Sequence, residues 1–350
     1  LEITHEWQGW IAENIVQGSP PHDLLAVLIQ HGAEESVALR EIQAAVDSPY
    51  LQRLKHNAMQ IAAQTAPIQQ KPQALQSVDQ QLAKRDWVLN IYRKLNRLNP
   101  TGSVIERKHQ LSREEFFSQY YLLNRPVIIT GVMDDWAALT RWTLPFLKAE
   151  YGDKTIEVQL KRETNSEYEL DKDQHRSTMN FGDYIDQIAT GTVTNDYYIT
   201  ANNNSGNRQA LAGLWSDIGS LSTYLATDMP DSGFFWFGPA GTRTPFHHDL
   251  TNNFMAQVVG RKLIRLMPAC ELPNVYNHFH CFSQVDGFAV DYERFPLMQN
   301  AQILECVLHP GEILFLPVGC WHYVQSLDIS ITMSFINFWL DNDFNSFYPF

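Results

Sequence analysis

The chain has 350 residues, 26 basic against 39 acidic, a net charge of −13, and is 44% hydrophobic and 12% aromatic. That supports a substantial core plus a smaller one. No run approaches the roughly 18 apolar residues of a membrane helix, and the first residues lack the basic-then-apolar pattern of a leader, so a soluble cytoplasmic protein with no membrane partner is expected. The acidic excess disfavours nucleic acid as a partner, because a phosphate backbone would be repelled wherever basic residues do not cluster. Cys270, Cys281, Cys306 and Cys320 show no C-x-x-C spacing, which argues for reduced thiols over a zinc ribbon or redox motif.

Residues 5–96 read as helical. Trp7, Trp10, Ile11 and Ile15 recur at helical spacing, Ser19-Pro20-Pro21 breaks the run, and Leu24 to Ile29 carry a second helix that Gly32 ends. Helices over 34–46 and 50–63 follow, then a Gln- and Pro-containing linker over 64–71 and a long helix over 77–98. Residues 1–100 are expected to be a separate helical region for docking, capping or homodimerisation, and 101–350 the functional domain. Beyond Gly102, strands are predicted over 104–107, 126–131, 155–161 and 196–200, with helices over 113–121, 144–151 and 180–188. From 234 to 339 strands recur every 10 to 15 residues between Gly, Pro and Asn turns, the pattern of a double-sheet jelly roll or related barrel. Such barrels hold ligands in their mouths.

Within this barrel, Thr244-Pro245-Phe246-His247-His248-Asp249 stands out. On a strand, His247 and Asp249 share one face and His248 points away. With His322, expected near the strand over 313–317, they supply two imidazoles and one carboxylate, the set used by non-haem Fe(II) oxygenases with open coordination positions. On the next predicted strand Lys262 alternates with Ile264 and Leu266, hence points inward, where an unpaired ammonium needs a carboxylate. Asn253 lies at even offset from His247. Asn337 interrupts an otherwise apolar odd-numbered row over 331–339, and an inward amide needs a partner.

These stretches, together with Ser283-Gln284-Val285-Asp286, Asp291 to Pro296 and His309 to His322, resemble the JmjC-type, cupin-like 2-oxoglutarate oxygenases. The likeness runs from about residue 103 to 339 and is nearest to the protein hydroxylase branch typified by factor inhibiting hypoxia-inducible factor. It implies an α+β fold with a double-stranded β-helix core. It also implies Fe(II) held by His247, Asp249 and His322, with dioxygen and 2-oxoglutarate as co-reactants. Lys262 would take the distal carboxylate with Thr244 and Tyr198 beside it, Asn253 and Asn337 would sit near the metal end, and Trp339 would line the pocket. The implied activity is hydroxylation of a C–H bond in a peptide or protein, releasing succinate and CO2. The alternatives are N-methyl-lysine demethylation, a small-molecule or RNA hydroxylase, and a non-catalytic binding module. His248 replaces an aromatic residue of that branch, which leaves its role open.

Overall fold

The computed structural model describes residues 3–54, 73–200, 204–226 and 233–349. The chain divides into two compact units, Leu1–Lys84 and Arg85–Phe350. In the first, α1 (His5–Gln17), α2 (Pro21–Gln30) and α3 (Glu35–Asp47) form where the periodicity places them. Pro21 opens α2, where its missing N–H is harmless, and Gly18 ends α1 at φ 91°. Ile11, Ile15, Leu24, Leu28 and Ile42 form the core of these helices. Of the helix expected over 50–63, residues 49–54 are helical; the rest of it and the linker over 64–71 lie outside the described residues. The long helix, α4 (Gln73–Leu98), begins a turn earlier than expected, and the division between units falls within it.

After the end of α4, the second unit continues with β1 (Glu106–His109), β2 (Val127–Thr130) and the antiparallel pair β3 (Thr155–Gln159) and β4 (Arg176–Asn180). The barrel strands follow: β5 (Phe234–Gly238), β6 (Arg243–His248), β7 (Asn253–Val259) and β8 (Lys262–Met267). After the short β9 (Asn277–Phe279) and β10 (Phe282–Ser283) come β11 (Leu304–Leu308), β12 (Ile313–Leu316), β13 (Trp321–Ser326) and β14 (Ser330–Phe335). They form two six-stranded sheets, ordered β1-β2-β12-β7-β14-β5 and β11-β8-β13-β6-β10-β9. This is the α+β jelly roll that the strand spacing implied. The expected strand over 196–200 is reduced to single bridges from Tyr198 to Gln159 and Ile199 to Phe237.

Alternation explains how one sheet serves both core and cavity. On β14, Ile331, Met333 and Phe335 pack with Leu147, Phe181, Tyr184 and Ile188 of the covering helices, whereas Thr332 and Ser334 face the cavity between the sheets. Phe116 anchors the core, fully buried among the rings of Tyr121, Tyr224, Phe254, Phe315 and Phe338. No helix of the described residues is long and apolar enough to cross a membrane.

Candidate metal centre

Antiparallel pairing of β6 with β13 sets His322 directly opposite His247, and Trp321 opposite His248. His322 therefore comes from its own strand, not from the one over 313–317; the turn between them passes through Gly319 at φ 73°, a left-handed conformation that suits glycine. His248 points away from the cavity, 4.8 Å from the Trp321 ring and 5.7 Å from Tyr348 (centroid distances). Burial lowers its pKa below the ordinary histidine value.

The His247 and His322 ring centroids are 4.1 Å apart, and His247 Nε2 lies 3.7 Å from Asp249 Oδ1. One ligand atom from each of the three residues lies within 4.8 Å of the others. His247 Nδ1 sits 2.9 Å from Pro245 O and His322 Nδ1 3.0 Å from Cys320 O. Each Nδ1–H is thus engaged by a backbone carbonyl, which leaves the Nε2 lone pairs for a metal. Burial and the neighbouring His247 push His322 down to about 4, so its imidazole is neutral. Burial alone would raise the Asp249 carboxyl, but His322, His247 and the Asn253 Nδ2 donor 3.1 Å away hold it below the usual carboxylate range. A neutral imidazole at His322, the second imidazole of His247 and an ionised carboxylate at Asp249 suit a divalent transition metal. Asn253 Oδ1, beside them, is buried without a hydrogen-bond partner.

Away from the trio along the same cavity lies Lys262, 1% exposed. Its Nζ donates to Tyr198 Oη at 3.2 Å, no carboxylate pairs with it among the described residues, and burial pushes it down to about 7. Gly238 admits the Tyr198 ring, since a Cβ there would lie 2.6 Å from it. Thr244 also lines this cavity.

Two expected residues are not brought there. β14 ends at Phe335, so the alternation stops before Asn337, whose Nδ2 donates to Ala226 O at 2.9 Å. Trp339 is 42% exposed, donates Nε1 to Ser222 O and stacks under Arg113 at 4.5 Å. Neither is among the lining residues, which instead include Trp236, Thr332 and Ser334. Trp236 Nε1 donates to Ser334 Oγ at 2.8 Å. The expectation that the odd positions of this strand face inward is thus corrected: the even positions Thr332 and Ser334 face the cavity, and the polar row Ser330, Thr332 and Ser334 is the sequence signal for it.

A family model described as a cupin-like domain matches residues 113–346. The chain is 36% identical over 248 residues to lysine-specific demethylase 8 of Danio rerio, covering 68% of this chain and 59% of that one. It belongs to the cupin-like JmjC oxygenase family. This JmjC chain is also 33% identical over 263 residues to lysine-specific demethylase JMJ30 of Arabidopsis thaliana, covering 70% and 57% of the two chains. To the human bifunctional peptidase and (3S)-lysyl hydroxylase JMJD7 it is 24% identical over 269 residues, covering 67% and 83%. The chain thus spans little more than half the length of the two demethylases.

Proposed function

We propose that this protein is an Fe(II)- and 2-oxoglutarate-dependent oxygenase that hydroxylates a C–H bond of a peptide or protein side chain. The observation that carries the reading is one cavity holding both the His247–Asp249–His322 trio and the buried, carboxylate-free Lys262. Lys262 pairs with Ser326, four residues along β13 from His322, roughly 13 Å at the strand rise. A five-carbon dicarboxylate and the lysine stem together would bridge that distance. Iron would supply the oxidising chemistry, coupling dioxygen reduction to conversion of 2-oxoglutarate into succinate and CO2 and placing one oxygen atom in the substrate. The chain's own residues hold and orient: the trio presents one face to the metal, Lys262 and Tyr198 receive the far carboxylate, and Thr244 lies beside them.

A second reading keeps the site and changes the outcome. Hydroxylating an N-methyl group yields formaldehyde, and two similar proteins are named lysine-specific demethylases, while a more distant one is named a lysyl hydroxylase. Placement in the asparaginyl hydroxylase branch draws no support from these relatives. The test is turnover of a peptide panel, with and without methyl-lysine, under Fe(II), 2-oxoglutarate and air. A product heavier by one oxygen atom with stoichiometric succinate supports hydroxylation, and formaldehyde supports demethylation. Lys262→Ala is expected to raise KM for 2-oxoglutarate by roughly tenfold to a hundredfold; an unchanged KM would remove Lys262 from its role.

A further inference from the structure

β6 carries Thr244, His247 and the approach to Asp249, yet one of its edges is barely paired. β10 meets it at Phe282, opposite His247, and the His248 N–H donates to Cys281 O at 3.1 Å, all at the C-terminal end of β6. An edge left this way exposes backbone groups that something else must satisfy. At Pro245 there is no N–H to satisfy, and its carbonyl takes His247 Nδ1. At Arg243, side chains stand in for the missing strand. The Arg243 N–H donates to Asn195 Oδ1 at 2.7 Å, while its carbonyl accepts from Arg162 Nη2 at 2.9 Å and Tyr168 Oη at 3.2 Å.

Arg162 is the centre of this arrangement and is fully buried. Its guanidinium donates to Asn195 Oδ1 at 2.9 Å and Glu169 Oε1 at 2.6 Å. It lies 4.3 Å from the Tyr168 ring centroid and 5.2 Å from that of Tyr198, whose hydroxyl receives Lys262. A buried guanidinium is costly and is retained where its planar fork organises several partners at once. Here those partners are the strand residue preceding Thr244 and the ring of Tyr198. None of its contacts is with the metal trio.

We propose that Arg162 is a positioning residue for the dicarboxylate end of the cavity, holding Thr244 and Tyr198 in the geometry in which Lys262 receives the distal carboxylate. This rests on the 2-oxoglutarate reading above. Arg162 acts through these residues and does not touch the cosubstrate. Glu169 neutralises it, so that a second uncompensated cation does not compete with Lys262.

The test compares two chelators on the Mn(II)-loaded full chain, followed by tryptophan fluorescence, to which Trp236 in the cavity wall contributes. 2-Oxoglutarate reaches Lys262; oxalate can chelate the metal but has no distal carboxylate. Arg162→Met combined with Glu169→Gln removes both buried charges together. It is expected to weaken 2-oxoglutarate binding about tenfold, the scale of one charge-assisted hydrogen bond, while oxalate and Mn(II) binding change less than about twofold. Arg162→Lys, which keeps the charge without the fork, should fall between. If the double variant does not fold, Asn195→Ser, which keeps both charges, should give the same separation. Equal weakening of both chelators, or no weakening of either, overturns the proposal. Lys262→Met separates the two levels. If it fails to discriminate 2-oxoglutarate from oxalate, the cosubstrate reading itself falls; if it discriminates and the Arg162 variants do not, only the role of Arg162 falls.

Discussion

At the scale of single residues, protonation separates the two ends of the cavity. The trio is set for a cation: neutral His322, ionised Asp249, and Nδ1 atoms engaged by Pro245 and Cys320 carbonyls. Lys262 is different, because burial brings it down to about 7 with no carboxylate to restore it. A bound dicarboxylate favours the ammonium form, so binding above about pH 7 takes up a proton and weakens as pH rises. The affinity for 2-oxoglutarate is therefore expected to fall roughly tenfold between about pH 7 and pH 8.5 relative to oxalate, measured by titration calorimetry in buffers of different ionisation enthalpy. Identical pH profiles for the two chelators would contradict a neutral lysine in the free protein. The inward direction of Lys262 was legible because Ile264 and Leu266 flank it at period 2. Trp236 was not, because nothing in Phe234–Gly238, an almost wholly aromatic strand, distinguishes its two faces.

At the scale of elements, the strand pair β6–β13 brings together ligands far apart in sequence, and long-range pairing of this kind is what local patterns do not encode. The ligand types were legible; the strand that delivers His322 was not, since the turn at Gly319 separates it from the strand over 313–317. The helix boundary at Ser19-Pro20-Pro21 lies where the punctuation puts it, whereas the inward reading of Asn337 extends alternation past the end of β14, and Trp339, which only the resemblance put in the pocket, is not among its lining residues. Within the second unit, the C-terminal half of α4 is tied down by a buried carboxylate. Glu271, 1% exposed, pairs with Arg93 Nε at 3.0 Å and accepts from Asn274 Nδ2 at 2.7 Å and the Gln302 N–H at 3.2 Å. Glu271→Ala is expected to destabilise the protein by about 3 kcal/mol, because it strands the largely buried Arg93 and two donors. Chemical denaturation measures this, and a loss below about 1 kcal/mol would show that the ion pair does not anchor the helix.

At the scale of the whole molecule, the jelly roll divides its sheet faces between two tasks. Outward-facing apolar residues of β5, β7 and β14 pack under the helices around Phe116 and Phe237, and inward-facing polar residues line the cavity. Rigid packing of that sheet holds Asn253, Thr332 and Ser334 on its cavity face, while the metal ligands stand on the opposite sheet, where Phe246, Met267, Trp321 and Tyr323 form a packed cluster of their own. The central claim is that one cavity binds a metal and a 2-oxo dicarboxylate together. Anaerobic addition of Fe(II) and 2-oxoglutarate, followed by visible absorption, measures this most directly, because a 2-oxo acid chelated to Fe(II) gives a charge-transfer band that neither component shows alone. The wild-type chain should develop the band with saturable dependence on both, His322→Ala should not, and Lys262→Met should need at least about tenfold more 2-oxoglutarate. Absence of the band in the wild-type chain, or its persistence unchanged in His322→Ala, would contradict the account.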